Sequence, residues 1–124
     1  MEIFREFTFD AAHRLPNVPP EHKCFRLHGH TYFLTIYIED LIDEQMGWVI
    51  DFGEIKNKTG PILDQLDHHY LNEVEGLENP TVENIAQWLW IRLKPLLPGL
   101  SRVALREGHR SGCEYKGSDS PIHK

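Results

Sequence analysis

The sharpest chemical signal in the sequence is His28-Gly29-His30. Residues i and i+2 of an extended strand point the same way, so two imidazoles at this spacing can meet one metal ion, and Gly29 leaves the other face open. His13 ends an alternating segment and shares the parity of Phe7, Phe9 and Ala11, so a hairpin would bring it opposite the pair. Three histidines on one ion leave a fourth position for water or substrate, the catalytic rather than the structural pattern. Such pairs also arise by chance in a chain with eight histidines, and the spacing alone leaves both readings open. A zinc finger fits less well, because Cys24 and Cys113 lack paired CxxC spacing.

Three further positions carry chemistry. Cys24 lies just before the histidine pair, between Lys23 and Arg26, and nearby cations favour the reactive thiolate; the plain alternative is a small side chain in a loop. In Asp67-His68-His69 a carboxylate adjoins an imidazole, which suits proton exchange with a thiol or a substrate, although histidines also suit the solvated end of a helix. Glu107 shares strand parity with Val103 and Leu105, which puts an acid on an apolar face where it needs a partner. A ligand edge with adjacent N–H groups, such as that of a pterin or guanine, would supply two donors. If the strand instead stops at Arg106, Glu107 is solvated.

The elements that must position these residues follow from periodicity. Glu2 to Asp10 alternates as a strand, Arg14 to Leu27 reads as a long loop with Pro16, Pro19 and Pro20, and His28 to Glu39 alternates again. Trp48 to Ile50 reads as a short extension of the sheet. Asp51 and Glu54 stand in capping-box spacing ahead of a helix that buries Phe52, Ile55, Thr59, Ile62, Leu63 and Leu66, and Gly60-Pro61 should kink or divide it. A second helix follows Asn79-Pro80-Thr81 with a stripe of Val82, Ile85, Ala86, Leu89, Leu93 and Leu96. Strands at Ser101 to Glu107 and Cys113 to Gly117 complete a ββααββ order: an α+β fold with a four-stranded antiparallel sheet and two helices on one face. Open sheet edges invite a second copy, so a homo-oligomer is expected.

Composition sets the outer bounds. The chain has 124 residues, 40% hydrophobic and 26% charged, which suits one domain over residues 1–117 with a polar tail over 118–124. A formal charge of −6 without a basic block argues against bulk nucleic-acid binding. No apolar run approaches the ~20 residues of a membrane span. The N-terminus does not read as a secretory signal, so a cytoplasmic protein with two reduced cysteines is expected.

Taken together, Phe9-Asp10-Ala11-Ala12-His13, Cys24 with His28-Gly29-His30, Ile50-Asp51-Phe52, Leu66-Asp67-His68-His69-Tyr70-Leu71-Asn72, Glu78-Asn79-Pro80-Thr81 with Glu83, and Glu107 resemble the 6-pyruvoyl-tetrahydropterin and 6-carboxytetrahydropterin synthase family. The resemblance implies the tunnelling fold, whose subunits form barrels with active sites at their interfaces, by family a hexamer built as a dimer of trimers. It implies Zn2+ at His13, His28 and His30, Cys24 as the base, His68 with Asp67 as its proton relay, and Glu107 as the anchor of the pterin's amino-pyrimidine edge. Three residues separate Cys24 from His28, as in the 6-carboxytetrahydropterin synthases of the queuosine (7-deazaguanine) pathway, whereas the pyruvoyl enzymes of biopterin synthesis have a longer gap. The expected substrate is therefore 7,8-dihydroneopterin triphosphate, with 6-carboxytetrahydropterin, acetaldehyde and triphosphate as products. The alternatives are a pyruvoyl-forming synthase and a binding module that has lost catalysis. Lys23, Arg26, Arg106 and Arg110 are the candidate cations for the triphosphate. One departure stands out: the family commonly has Thr or Ser after the glutamate, but here Gly108-His109 follows, so either binding is weaker or His109 substitutes.

Overall fold

Period-two alternation in the first segment runs on to His13, three residues past the predicted end, and this extension carries the first histidine into the sheet. The computed structural model describes residues 1–118, and the predicted tail from residue 119 onward lies outside them. Strand β1 (Glu2–His13) is followed by β2 (His28–Glu39), α1 (Phe52–Leu63), α2 (Val82–Leu93), β3 (Leu100–Glu107) and β4 (Ser111–Tyr115). The sheet is antiparallel throughout, in the order β1-β2-β3-β4. This is the predicted ββααββ arrangement.

One face of the sheet holds the core. Phe9, Ala11, Tyr32, Leu34, Ile36, Ile38, Val103 and Leu105 pack with Ile55, Ile62 and Leu63 of α1 and Ile85, Ala86, Leu89 and Leu93 of α2, all buried. Each fully buried aliphatic side chain contributes about 2 kcal/mol. Phe9 and Tyr32 stack with ring centroids 4.9 Å apart, which locks β1 against β2 next to the histidines. The opposite face is polar and carries Arg102 between Glu2 and Glu114 at 3.1 and 2.9 Å.

Helix α1 starts where Asp51 accepts from the Gly53 N–H at 2.8 Å, but Glu54 pairs with Lys58 instead of closing a capping box. The helix is not divided: Pro61 sits inside it, and the Asp64 N–H donates to the Gly60 carbonyl beyond the proline. Proline lacks only its own donor, and the ladder resumes after it. Phe52 and Leu96, expected in buried stripes, are exposed because each lies at or beyond a helix end. Trp48 to Ile50 forms bends rather than a strand; Val49 and Ile50 touch the core without joining the ladder. Thr81 caps α2 by accepting from the Asn84 N–H, so the helix starts beside Pro80. Beyond Lys23–Phe25, a single 3-10 turn, the loop from Arg14 to Leu27 has no regular element.

Thr59 is fully buried in α1, and its hydroxyl has no hydrogen-bond partner. Replacing an orphaned hydroxyl by a methyl of the same shape removes a desolvation cost of about 1 kcal/mol. Thr59→Val should raise the urea midpoint of unfolding with an unchanged slope; a lower midpoint would reveal an interaction this geometry does not contain.

Candidate active site and metal centre

The antiparallel register sets His13 opposite His28 and Ala11 opposite His30, bringing the three imidazoles to one end of the β1–β2 ribbon. Nδ1 of His13 donates to the Pro80 carbonyl at 2.8 Å, and Nδ1 of His28 donates to the Arg26 carbonyl at 2.7 Å. A carbonyl only accepts, so both Nδ1 atoms carry a hydrogen, which leaves Nε2 as the lone-pair nitrogen of each ring in its neutral, metal-binding form. Those two Nε2 atoms are 3.1 Å apart. The Nε2 of His30 is buried without a hydrogen-bond partner, and one nitrogen from each of the three rings falls within 4.8 Å of the others. Facing lone pairs repel unless a cation lies between them. Bonds of about 2.0–2.1 Å to a tetrahedral zinc put ligand nitrogens about 3.3 Å apart, close to the observed spacing. The donor set therefore fits a metal ion.

Burial holds His13 and His30 below the ordinary histidine range, against an opposing pull from Glu107. The neutral imidazole, the form that binds metal, is thereby favoured. Tyr32 lies beneath the cluster with its hydroxyl 3.3 Å from His13 Nδ1, and burial pushes its phenol well above the usual range. Glu107 pairs with Tyr32 in the ladder and faces inward as its parity requires. Its Oε1 is 3.4 Å from His30 Nε2 and its Oε2 is 4.0 Å from His13 Nε2. The side chain is 27% exposed, so its outer edge is open to a ligand. His109 does not substitute for the missing hydroxyl. Gly108 turns the chain at φ 74°, and the His109 ring packs on Phe33, on the opposite face from Glu107. Arg106 also lies over Phe33 on that outer face.

Cys24 is held at the histidine end by its backbone. Its carbonyl accepts from the Leu15 N–H at 2.8 Å, and its N–H donates to His22 Nδ1 at 3.0 Å. Asn72 clamps the neighbouring Arg14 through both its N–H and its carbonyl. Cys24 is in no disulfide. Asp67 and His68 run instead along the free edge of β1. The His68 N–H donates to the Asp10 carbonyl at 2.6 Å, the Asp10 N–H donates to Asp67 Oδ1 at 2.9 Å, and the His68 ring donates from Nδ1 to the same oxygen at 3.0 Å. His68 has φ 59°, the one non-glycine residue in the left-handed region among those described. Its ring is 78% exposed and makes no hydrogen bond to Cys24 among the described residues. One chain thus assembles the histidine triad and Glu107 in one place and the Asp67–His68 pair in another.

Sequence reasoning missed the Pro80 carbonyl and the part played by Asp10. The Asn79-Pro80-Thr81 run signals a helix start, but which ring a backbone carbonyl will meet has no sequence signature.

The Asp10 N–H, with the His68 ring, holds the Asp67 carboxyl below the usual carboxylate range. A folded-state value below the unfolded value of about 3.9 means that this contact contributes stability above about pH 4 and loses it as pH falls through the folded value. Asp67→Asn should flatten the acid limb of the stability–pH curve below about pH 4. An acid limb identical to that of the unmodified chain would contradict the contact.

Comparison with known proteins agrees with this geometry. Residues 2–118 match the model of the family described as 6-pyruvoyl tetrahydropterin synthase. The chain is 40% identical over 119 residues to a 6-carboxy-5,6,7,8-tetrahydropterin synthase of Synechocystis sp., covering 91% of each chain. It is 39% identical over 117 residues to a dihydroneopterin monophosphate aldolase of Pyrococcus furiosus, covering 92% of this chain and 96% of the relative. Among solved structures, the 6-pyruvoyl tetrahydropterin synthase of Caenorhabditis elegans superposes with a TM-score of 0.88 at 29% identity, over 95% of this chain and 96% of the other. With the fold, the histidine cluster and the match over nearly the whole length in agreement, the chain belongs to the 6-pyruvoyl tetrahydropterin synthase family.

Proposed function

We propose that this protein is a zinc-dependent 6-carboxytetrahydropterin synthase, which converts 7,8-dihydroneopterin triphosphate to 6-carboxy-5,6,7,8-tetrahydropterin, acetaldehyde and triphosphate in 7-deazaguanine (queuosine) biosynthesis in the cytoplasm. The observation that carries the reading is the convergence of one ring nitrogen from each of three histidines beside an inward carboxylate. The C-x3-H-G-H spacing and the Synechocystis relative support the carboxy branch.

His13, His28 and His30 would hold the ion. When bound, a divalent zinc polarises the side-chain oxygens of the substrate and stabilises negative charge as neighbouring protons leave. Glu107 accepts the two adjacent N–H groups of the pterin edge, setting the ring against the histidine cluster. Cys24 acts as the base on the pterin side chain, and His68 takes the thiol proton at Nε2, since its Nδ1 hydrogen is committed to Asp67. His68 is exposed at a sheet edge and unbonded to its own Cys24, so in this reading the Asp67–His68 pair of one subunit serves Cys24 of a neighbour. The exposed Met1, Phe4, Trp48 and Phe52 near the open part of that edge supply apolar surface for such a homo-oligomer.

Two readings compete within the family. The aldolase relative favours retro-aldol cleavage of a monophosphate, and the superposed solved structure favours pyruvoyl formation. Incubating the zinc-loaded protein with 7,8-dihydroneopterin triphosphate should release acetaldehyde and triphosphate. A pyruvoyl product without acetaldehyde would replace the proposal by the second synthase. Turnover of only the monophosphate, with an aldehyde that keeps the phosphate, would replace it by the aldolase. Cys24→Ala should abolish turnover with zinc content intact; equal background rates in both proteins would mean a binding module. His28→Ala should lose bound zinc by elemental analysis, and undiminished stoichiometry would overturn the ligand set.

A further inference from the structure

Asp10 touches the Asp67–His68 pair in three ways. Its N–H donates to Asp67 Oδ1 at 2.9 Å, its carbonyl accepts from the His68 N–H at 2.6 Å, and its carboxylate lies within 4.8 Å of both a ring nitrogen of His68 and a carboxylate oxygen of Asp67. Thr31, opposite Asp10 on β2, donates its hydroxyl to Asp10 Oδ1 at 2.5 Å and so aims that carboxylate. The backbone contacts would survive with almost any residue at position 10. The carboxylate is a separate feature, and like charges this close repel one another. A proton on the adjacent imidazole offsets that repulsion by attracting both.

We infer that Asp10 is a positioning residue for the proton relay: with Asp67 it forms a two-carboxylate cradle that stabilises His68 in its protonated form, and Thr31 orients it. This deepens the relay role given above to His68 and rests on that reading. Asp67 fixes the ring through Nδ1, while Asp10 acts through charge on the imidazolium that exists after the thiol proton arrives. The proton moves from Cys24 Sγ to His68 Nε2 and returns when the product leaves, so no other reactant is needed. The charged or titratable groups around the ring are Asp10 from β1, Asp67, His69 and Tyr70 from its own segment, and His30, which lines the same cavity.

Asp10→Asn keeps the size, the backbone contacts and an oxygen for Thr31, and removes only the charge. The expected result is a fall in kcat of about tenfold, a fraction of the roughly 10²–10⁴-fold that a full acid–base group contributes, with KM and zinc content unchanged. Thr31→Val should lower kcat in the same direction, and Thr31→Ser should restore it. An Asp10→Asn enzyme with the unmodified kcat would overturn the inference and leave Asp10 a backbone clamp. A second readout stands apart from turnover: the NMR titration midpoint of the His68 ring should drop by about half a unit in Asp10→Asn at low salt. An unchanged midpoint sinks the cradle even if the protein proves to have another activity, whereas a shifted midpoint in a protein that makes no acetaldehyde keeps the cradle and sinks the assigned reaction.

Discussion

The structure turns on three imidazole nitrogens made to face one another at one end of a hairpin. Such an arrangement is unfavourable by itself, and two elements impose it. The β1–β2 register puts His13 across from His28, and the start of α2 supplies the Pro80 carbonyl that keeps the hydrogen of His13 on Nδ1. A one-residue slip of the hairpin would send the whole set to the polar face. The stacked Phe9 and Tyr32, one step further into the sheet, stand against that slip because their burial requires the present register.

The same ribbon presents different chemistry on its two sides. Inward are the histidines, Tyr32 and Glu107, and burial there favours the neutral form of His13 and His30. Outward and along the edge are the polar side chains of Asp10, Thr31, Asp67 and His68, wholly or partly open to water. Strand alternation makes this division unavoidable, since Asp10 and Ala11 must point opposite ways. The Asp67–His68 pair makes no hydrogen bond to the Cys24 of its own chain among the described residues, and the proposed sharing between subunits answers that separation.

Backbone groups do much of the orienting. Carbonyls of Pro80 and Arg26 set two tautomers, the Asp10 N–H keeps Asp67 ionised, and Asn72 ties the Cys24 loop down through the backbone of Arg14. These contacts tolerate many side chains at the donating or accepting residue, which is why motif reading passes over them. His68 in its left-handed turn is held by two hydrogen bonds, from its N–H to the Asp10 carbonyl and from its ring to Asp67, enough to offset the cost of about 1 kcal/mol of that backbone geometry.

Periodicity in the sequence was enough to determine the ββααββ order, the inward parity of Glu107 and the shared face of His28 and His30, because alternation and helical stripes are local consequences of burial. The separated motifs pointed to the family for the same reason: each residue type is demanded by its chemistry. Local signals misjudged Trp48 to Ile50, Phe52 and Leu96, whose states depend on ladder partners and helix ends set elsewhere in the chain. Only tertiary structure decided that His109 stacks on Phe33 away from Glu107, that Pro80 fixes His13, and that Asp10 completes the surroundings of His68. Each of these joins residues distant in sequence through a contact whose energy exists only once the sheet and the second helix have packed.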